Sequence, residues 1–259
     1  MLFYPGAGNF PALGSGRSVA WLARLFRVQE VVSSNLTAPT ISQLLIYALH
    51  SQLQPQTPTA CPTSVSSDRI YDLPSILERL DLARLFPKPQ PLEVELGCGD
   101  ASFIAEYARL HPERNFIGVE RLLGRIRKLD KKGRRLGLAN LCGVRIENAY
   151  FLEWLLPKNS ARAIHVYFPD PWPKLKHRRH RLINERFPAL ARAALSDGGV
   201  VFLRTDHTDY FEQMQTVFAA SPLFRRVETP AELAAVVTDF ERDFLAEGIQ
   251  TCRAAYEAL

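Results

Sequence analysis

From about residue 69 the chain alternates between two periods. Short apolar runs stand at LEVEL (92–96), NFIGVE (115–120), CGVRI (142–146), AIHVYF (163–168) and GVVFLRT (199–205). Between and after them, at 101–110, 122–137, 182–195 and 208–220, apolar residues recur at three- and four-residue spacing. The runs have the length of strands and the spaced stretches that of amphipathic helices. DLPSILERLDLARLF (72–86) also has helical spacing. Strands apolar on both faces, alternating with helices, predict an α/β fold with a parallel sheet covered by helices. Such a sheet binds ligands beyond the carboxyl ends of its strands. The residues just after each run are therefore the candidates for chemistry.

Residues 1–68 read differently. They hold Gly, Pro, Ser and Thr clusters without a sustained period, and QPQTPTACPTSVSSD (54–68) reads as a linker. The expected organisation is an unstructured extension over 1–68 and one domain over 69–259. Ser33, Ser34, Asn35 and Leu36 can be encoded by a string containing GTTCGAATC, which resembles the T-arm of a tRNA gene. The whole stretch SVAWLARLFRVQEVVSSNLTAPT looks like such a gene read as protein, so a reading frame extended through an upstream tRNA gene is one expectation and a genuine extension the other. Met1 and Met214 are the only methionines, so a later start requires a non-AUG codon.

Composition changes this picture little. Hydrophobic residues make up 47% and charged residues 23%, as in ordinary soluble domains. A net charge of +5 permits a polyanionic partner without demanding one. Cys61, Cys98, Cys142 and Cys252 form no C-x-x-C pair and no metal-ligand spacing, which predicts reduced thiols, no metal and a cytoplasmic protein. No apolar run approaches the roughly 18 residues of a membrane span, and MLFYPGAGNFP lacks the basic start of a secretory signal.

The first run ends in Glu95-Leu-Gly-Cys-Gly-Asp-Ala. Gly97 and Gly99 allow a tight turn and a close approach of backbone to ligand. A dinucleotide fingerprint wants a third glycine where Ser102 stands. Glu95 can accept from a cationic amino group, and Glu120, about twenty residues on, from both hydroxyls of a ribose. Asn148 follows the third run, where an amide can meet an adenine edge. Together they outline a site for S-adenosylmethionine rather than NAD, whose pyrophosphate prefers the full glycine pattern. Cys98 reads as a small filler.

The fourth run delivers FPDPWPKLKHRRHR (168–181) to the same edge. Pro169 and Pro171 restrict the backbone around Asp170, which aims a carboxylate at the cofactor. Lys174, Lys176, His177, Arg178, Arg179, His180 and Arg181 follow with no acid before Glu185, a charge density suited to phosphates. Trp172 reads as packing or as a base-stacking platform. Arg127, Lys128, Lys131, Arg134 and Arg135 form a second basic cluster at helical spacing, either a solvated face or a track for RNA backbone.

FPDPW with its basic run resembles the signature of the bacterial tRNA (guanine-N7)-methyltransferases. ELGCG, NFIGVE, RTDHTDY (204–210) and TDFERDFLAEG (238–248) resemble further segments of that family, over about 92–250. The resemblance implies a Rossmann-like class I methyltransferase fold with a mostly parallel seven-stranded sheet and helices on both faces. It implies S-adenosylmethionine as cofactor and tRNA as partner, in a monomer or homodimer. Glu95, Gly97, Gly99, Glu120, Asn148 and Asp170 would border the cofactor, with Asp170 as the active-site acid. Lys174, Asp206, Thr238, Asp239, Phe240 and Glu241 would bind the guanine nucleotide, and Lys176 to Arg181 the RNA. Asp206 and Thr238 could instead cap helices, and Glu241 could be an ion-pair partner. Asn148 stands where many members have Asp, Pro173 replaces a frequent His, Asp239 occupies a variable position, and Ala101 replaces a common glycine.

The implied reaction methylates N7 of the variable-loop guanine, position 46. N7 has a free lone pair and no proton, so Asp170 and Asp206 are expected to orient the ring and stabilise developing charge rather than act as general bases. Rival readings are a class I methyltransferase of another substrate, a non-catalytic RNA-binding module, and an NAD-dependent oxidoreductase.

Overall fold

A computed structural model describes residues 69–259; the expectations for 1–68 lie outside the described residues. The strands are β1 (Ile70–Tyr71), β2 (Leu92–Leu96), β3 (Asn115–Val119), β4 (Leu141–Val144), β5 (Ala161–Tyr167), β6 (Leu195–Thr205), β7 (Phe224–Val227) and β8 (Cys252–Ala258). They form one sheet in the order β1-β4-β3-β2-β5-β6-β8-β7. The pairs from β1 to β6 are parallel, and β8 runs antiparallel between β6 and β7. Without β1, an edge strand of two residues, this is the expected seven-stranded arrangement. The helices are α1 (Leu82–Leu85), α2 (Ser102–Leu110), α3 (Leu123–Arg135), α4 (Asn148–Tyr150, continued by a π-turn over Phe151–Leu155), α5 (Phe187–Ala194), α6 (Thr208–Ala219), α7 (Ala231–Ala235) and α8 (Asp239–Ala246). No helix among the described residues is long and apolar enough to cross a membrane.

Two packed layers sandwich the sheet. One holds Leu92, Val94, Leu96, Ile117, Val144, Ile164, Val166, Val201, Leu203, Phe151 and Phe187; the other holds Phe103, Ile104, Tyr107, Phe116, Ile126 and Leu129. Gly118 sets the depth of the second layer. A Cβ there would stand 2.4 Å from Leu129 Cδ1 and 3.0 Å from Cys98 Sγ, so α3 reaches β3 only because this residue is glycine. The helix expected over 72–86 shortens to α1. The Leu80 amide donates to the Leu155 carbonyl at 2.8 Å instead of closing a helical turn, and the Arg79 guanidinium binds the Leu156 carbonyl. Tertiary pairing overrides local propensity there.

Because β2 to β6 are all parallel, their carboxyl ends share one edge. The chain order reverses between β2 and its neighbours β3 and β5, which opens a crevice at that edge.

Candidate cofactor and RNA site

Strand β2 places two acids on one face, since residues two apart in a strand point the same way. Their environments differ. Glu93 is satisfied: Arg114 Nη1 donates to it at 2.9 Å and His165 Nε2 lies 2.8 Å away. Burial raises its pKa, but these partners outweigh burial and hold it below the ordinary value. Glu95 makes no ion pair among the described residues, and its Oε2 is buried without a hydrogen-bond partner. Burial pushes its carboxyl up to about 8; Arg204 opposes this, while Asp100 and Glu120 add to it.

The loop after β2 folds tightly against β3. The amides of Gly97 and Cys98 both donate to the Val119 carbonyl at 2.9 Å. Gly97 and Gly99 have φ of 80° and 54°, the left-handed region that glycine enters without strain. A Cβ on Gly97 would stand 3.3 Å from Asn148 Nδ2. Asn148 Oδ1 is also buried with no partner. Glu120 is buried just past β3, and its Oε1 accepts from the Leu122 amide at 2.8 Å. The site thus has unpaired acceptors on either side of a glycine turn. An ammonium group suits Glu95 Oε2 and an exocyclic amine suits Asn148 Oδ1, so the donor set of S-adenosylmethionine fits the residues present. Cys98 is a buried filler, as expected, its thiol pushed far up by burial and by the carboxylates of Glu95 and Glu120.

The FPDPW segment leaves β5 at the neighbouring position. Phe168 and Trp172 both have positive φ, 49° and 41°, unusual for bulky residues. Such strain persists only where surroundings enforce it, and here they do. The Phe168 amide donates to the Arg204 carbonyl at 2.8 Å, its ring meets Phe244, and Arg181 Nε donates to the Pro171 carbonyl at 2.8 Å. Asp170 is exposed and its side chain makes no hydrogen bond or ion pair among the described residues, which leaves its carboxylate free for a substrate. Trp172 packs against His177 and His180, with ring centroids 5.9 and 5.2 Å away.

The basic run divides. Lys174, Lys176, Arg179 and His180 are exposed and His177 is half-buried, as RNA contacts require. Arg181 corrects the expectation. It is 1% exposed, stacks on Tyr210 at 4.6 Å, and gives its remaining donors to Gln213 Oε1 at 2.7 Å and Asp209 Oδ2 at 2.6 Å. An arginine so enclosed holds the loop and cannot reach phosphate. Arg178, partly exposed, pairs with the other Asp209 oxygen at 2.7 Å.

The segment Thr238–Glu241 also departs from expectation. Thr238 is buried and its Oγ1 accepts from the Glu241 amide at 2.9 Å, capping α8. Glu241 is 0% exposed; Arg204 Nη1 donates to Oε2 at 3.0 Å and Arg253 binds Oε1. Neither is free for a nucleotide. Asp239 is half-exposed: its amide donates to Ser102 Oγ at 3.1 Å, and its carboxylate lies 3.7 Å from Lys132 Nζ, which also meets Asp100 at 3.1 Å. These bonds tie α8 to the glycine loop. Phe240, 47% exposed, is the large free side chain of the segment. Asp206 stands half-exposed after β6; His207, not Asp206, caps α6, its ring accepting from the Tyr210 amide.

Sequence reasoning passed over Arg204, Arg253, Lys132 and Ser102. Arg204 had a visible signal: an arginine inside an apolar strand needs a buried carboxylate. The others depend on contacts across 12 to 137 positions of sequence. Two surface clefts, lined in part by Glu78 and Arg79 and by Glu153 and Leu190, contain none of the site residues.

Residues 89–254 match a family model described as "Putative methyltransferase". The chain is 38% identical over 130 residues to the tRNA (guanine-N(7)-)-methyltransferase of Geobacter metallireducens, covering 50% of this chain and 62% of that one. To the enzymes of the same name from Alkalilimnicola ehrlichii and Rubrobacter xylanophilus it is 33% and 37% identical, covering 66% and 61% of this chain and 74% and 70% of theirs. In fold it resembles the 16S rRNA methyltransferase KamB, with TM-score 0.50 and 18% identity over 70% of this chain and 94% of that one. It also resembles a 30S ribosomal A1408 methyltransferase from an uncultured bacterium, with TM-score 0.51 and 14% identity over 70% and 96%. The chain belongs to the tRNA (guanine-N(7)-)-methyltransferase family.

Proposed function

We propose that this protein transfers a methyl group from S-adenosylmethionine to N7 of the variable-loop guanine, position 46, of tRNA, as a cytoplasmic monomer or homodimer. The observation that carries the reading is the pair of buried, unpartnered acceptors, Glu95 Oε2 and Asn148 Oδ1, flanking the Gly97 turn at the sheet edge where β5, the neighbour of β2, leads into Asp170. S-adenosylmethionine, when bound, supplies an electrophilic methyl group on a sulfonium. Glu95 meets its ammonium, Glu120 its ribose hydroxyls and Asn148 its adenine edge, while Gly97 and Gly99 let the backbone come close.

N7 needs no deprotonation, so the chain's remaining tasks are orientation and charge stabilisation. Asp170, free and held by a strained loop, accepts from the guanine edge, and Asp206 is the second acceptor. Lys174 and Phe240 border the nucleotide. Asp239 ties α8 to the glycine loop through Ser102 and Lys132. Lys176, His177, Arg179 and His180 meet backbone phosphates, with Arg178 at the margin. The test is transfer of labelled methyl from S-adenosylmethionine to unmodified tRNA, with ribosomal RNA and protein as competing acceptors. Label on tRNA supports the reading; cofactor binding with label elsewhere sends it to another substrate class.

A further inference from the structure

Helix α3 buries Ile126, Leu129, Asp130 and Gly133. Its outward face is almost wholly basic. At 3.6 residues per turn, Arg127, Lys131 and Arg134 form one row, and Arg125, Lys128, Lys132 and Arg135 the adjacent row. Lys132 is taken by Asp100 and Asp239, and Arg134 by Asp130. Arg125, Arg127, Lys128, Lys131 and Arg135 are exposed and form no ion pair among the described residues.

Local stability explains only part of this face: the cations of the last turn, Arg135 among them, favour the helix dipole, but those further toward its start do not. Solvated helices gain from opposite charges three or four apart, whereas like charges at those spacings repel. Cations near the start of a helix oppose its dipole, and the first turn of α3 holds no acid and no side-chain cap. A polyanion relieves both strains at once. The helix is also continuous with the site. It begins three residues after Glu120, and Lys132 near its other end contacts both the glycine loop and α8.

We propose that the outward face of α3 is a second RNA-backbone track, which grips a part of the tRNA away from the target guanine. This rests on the reading of tRNA as substrate. The exposed pair Leu122 and Leu123 at the helix start is too short an apolar surface to make a membrane the better partner.

The test compares the wild-type chain with the variant Arg127→Gln/Lys128→Gln/Lys131→Gln/Arg135→Gln. Methyl transfer to tRNA is measured across a salt series, and tRNA binding by fluorescence anisotropy. The expected result is a KM for tRNA raised about tenfold or more at low salt, with kcat within about twofold and S-adenosylmethionine affinity unchanged. The slope of log affinity against log salt becomes shallower by about 0.7–0.9 for each phosphate that the variant no longer neutralises. If the fourfold variant melts early, Lys131→Gln/Arg135→Gln is read in its place. An unchanged KM and salt slope in a folded variant overturns the track and leaves the enzymatic reading standing. Loss of tRNA binding in the variant, beside a wild type that binds tRNA without methylating it, keeps the track and overturns that reading. A wild type that binds no tRNA, or a variant altered only in binding to anionic lipid vesicles, overturns the track as well.

Discussion

Arg181 Nε donates to the Pro171 carbonyl at 2.8 Å. One member of a run that looks built for phosphates is instead turned inward, beneath the proline that follows Asp170. Its other donors reach Gln213 and Asp209, so the guanidinium fork joins the FPDPW loop to α6. The Asp170 carboxylate is exposed, yet the backbone beside it is held from below.

Replacing Arg181 by Ala leaves the Pro171 carbonyl unpaired and removes a buried pair with a half-exposed carboxylate. About 2–3 kcal/mol of stability should be lost. Lysine should rescue little, because one ammonium cannot reproduce the fork. The loop role is read in kinetics at a temperature where the variant is folded. kcat for tRNA should fall about tenfold or more while cofactor affinity holds. Loss of tRNA affinity alone would instead mark Arg181 as a phosphate ligand.

With Glu95 as the ammonium ligand proposed above, cofactor binding should depend on pH. Its carboxyl is pushed up to about 8 by burial, so it is neutral at pH 7 and must ionise to meet an ammonium. Affinity should rise close to tenfold per pH unit up to nearly pH 8 and fall again above it, because the cofactor's own α-ammonium loses its proton at about 7.7–8.0. Calorimetry at pH 7 in buffers of differing ionisation enthalpy should show nearly one proton released per cofactor bound. Stability runs the other way. The unfolded group loses its proton near 4.5 and the folded one near 8, so the unfolded state binds fewer protons between them and stability falls as pH rises through that window. Glu95→Gln should flatten both profiles and raise Tm above pH 8, while weakening the cofactor. A wild-type affinity that is flat from pH 6 to 8 would contradict this assignment.

Neighbouring residues of α8 should separate cleanly. Glu241→Ala strands Arg204 in the core and should cost about 3–5 kcal/mol. Phe240→Ala, on the surface, should change stability by no more than about 0.5 kcal/mol and raise KM for tRNA. Thermal melts with paired kinetics check both. Equal, mild melting shifts would show that the Arg204–Glu241 pair does not hold the segment.

Gly118→Ala tests the packing that sets the crevice. Its Cβ would overlap Leu129, so the variant should lose about 1–3 kcal/mol in denaturant titration. Unchanged stability would mean that α3 shifts freely against β3.

The gathering of the strand-end residues at one edge was legible because parallel strands end there. Glu95, Gly97, Gly99, Glu120 and Asn148 each follow or close an apolar run, and the topology brings them together whatever their separation in sequence. Strands β7 (FRRV) and β8 (CRAAYEA) were not legible. Their charges and alanines carry no clear period, and β8 is buried by its place between two partners. Arg181 was hidden in a run of like residues, since nothing local marks which member turns inward toward Asp209. Thr238 and Glu241 show the spacing of a helix cap followed three residues later by an acid, a local signal that here outweighs the ligand role implied by resemblance.

The most direct measurement is methyl transfer from labelled S-adenosylmethionine to unmodified tRNA, with products mapped by cleavage at 7-methylguanosine and Asp170→Ala run in parallel. The account predicts cleavage at the variable-loop guanine with the wild-type chain. With the variant, that cleavage is lost while cofactor binding remains. Label at another base, or undiminished transfer by the variant, would contradict it.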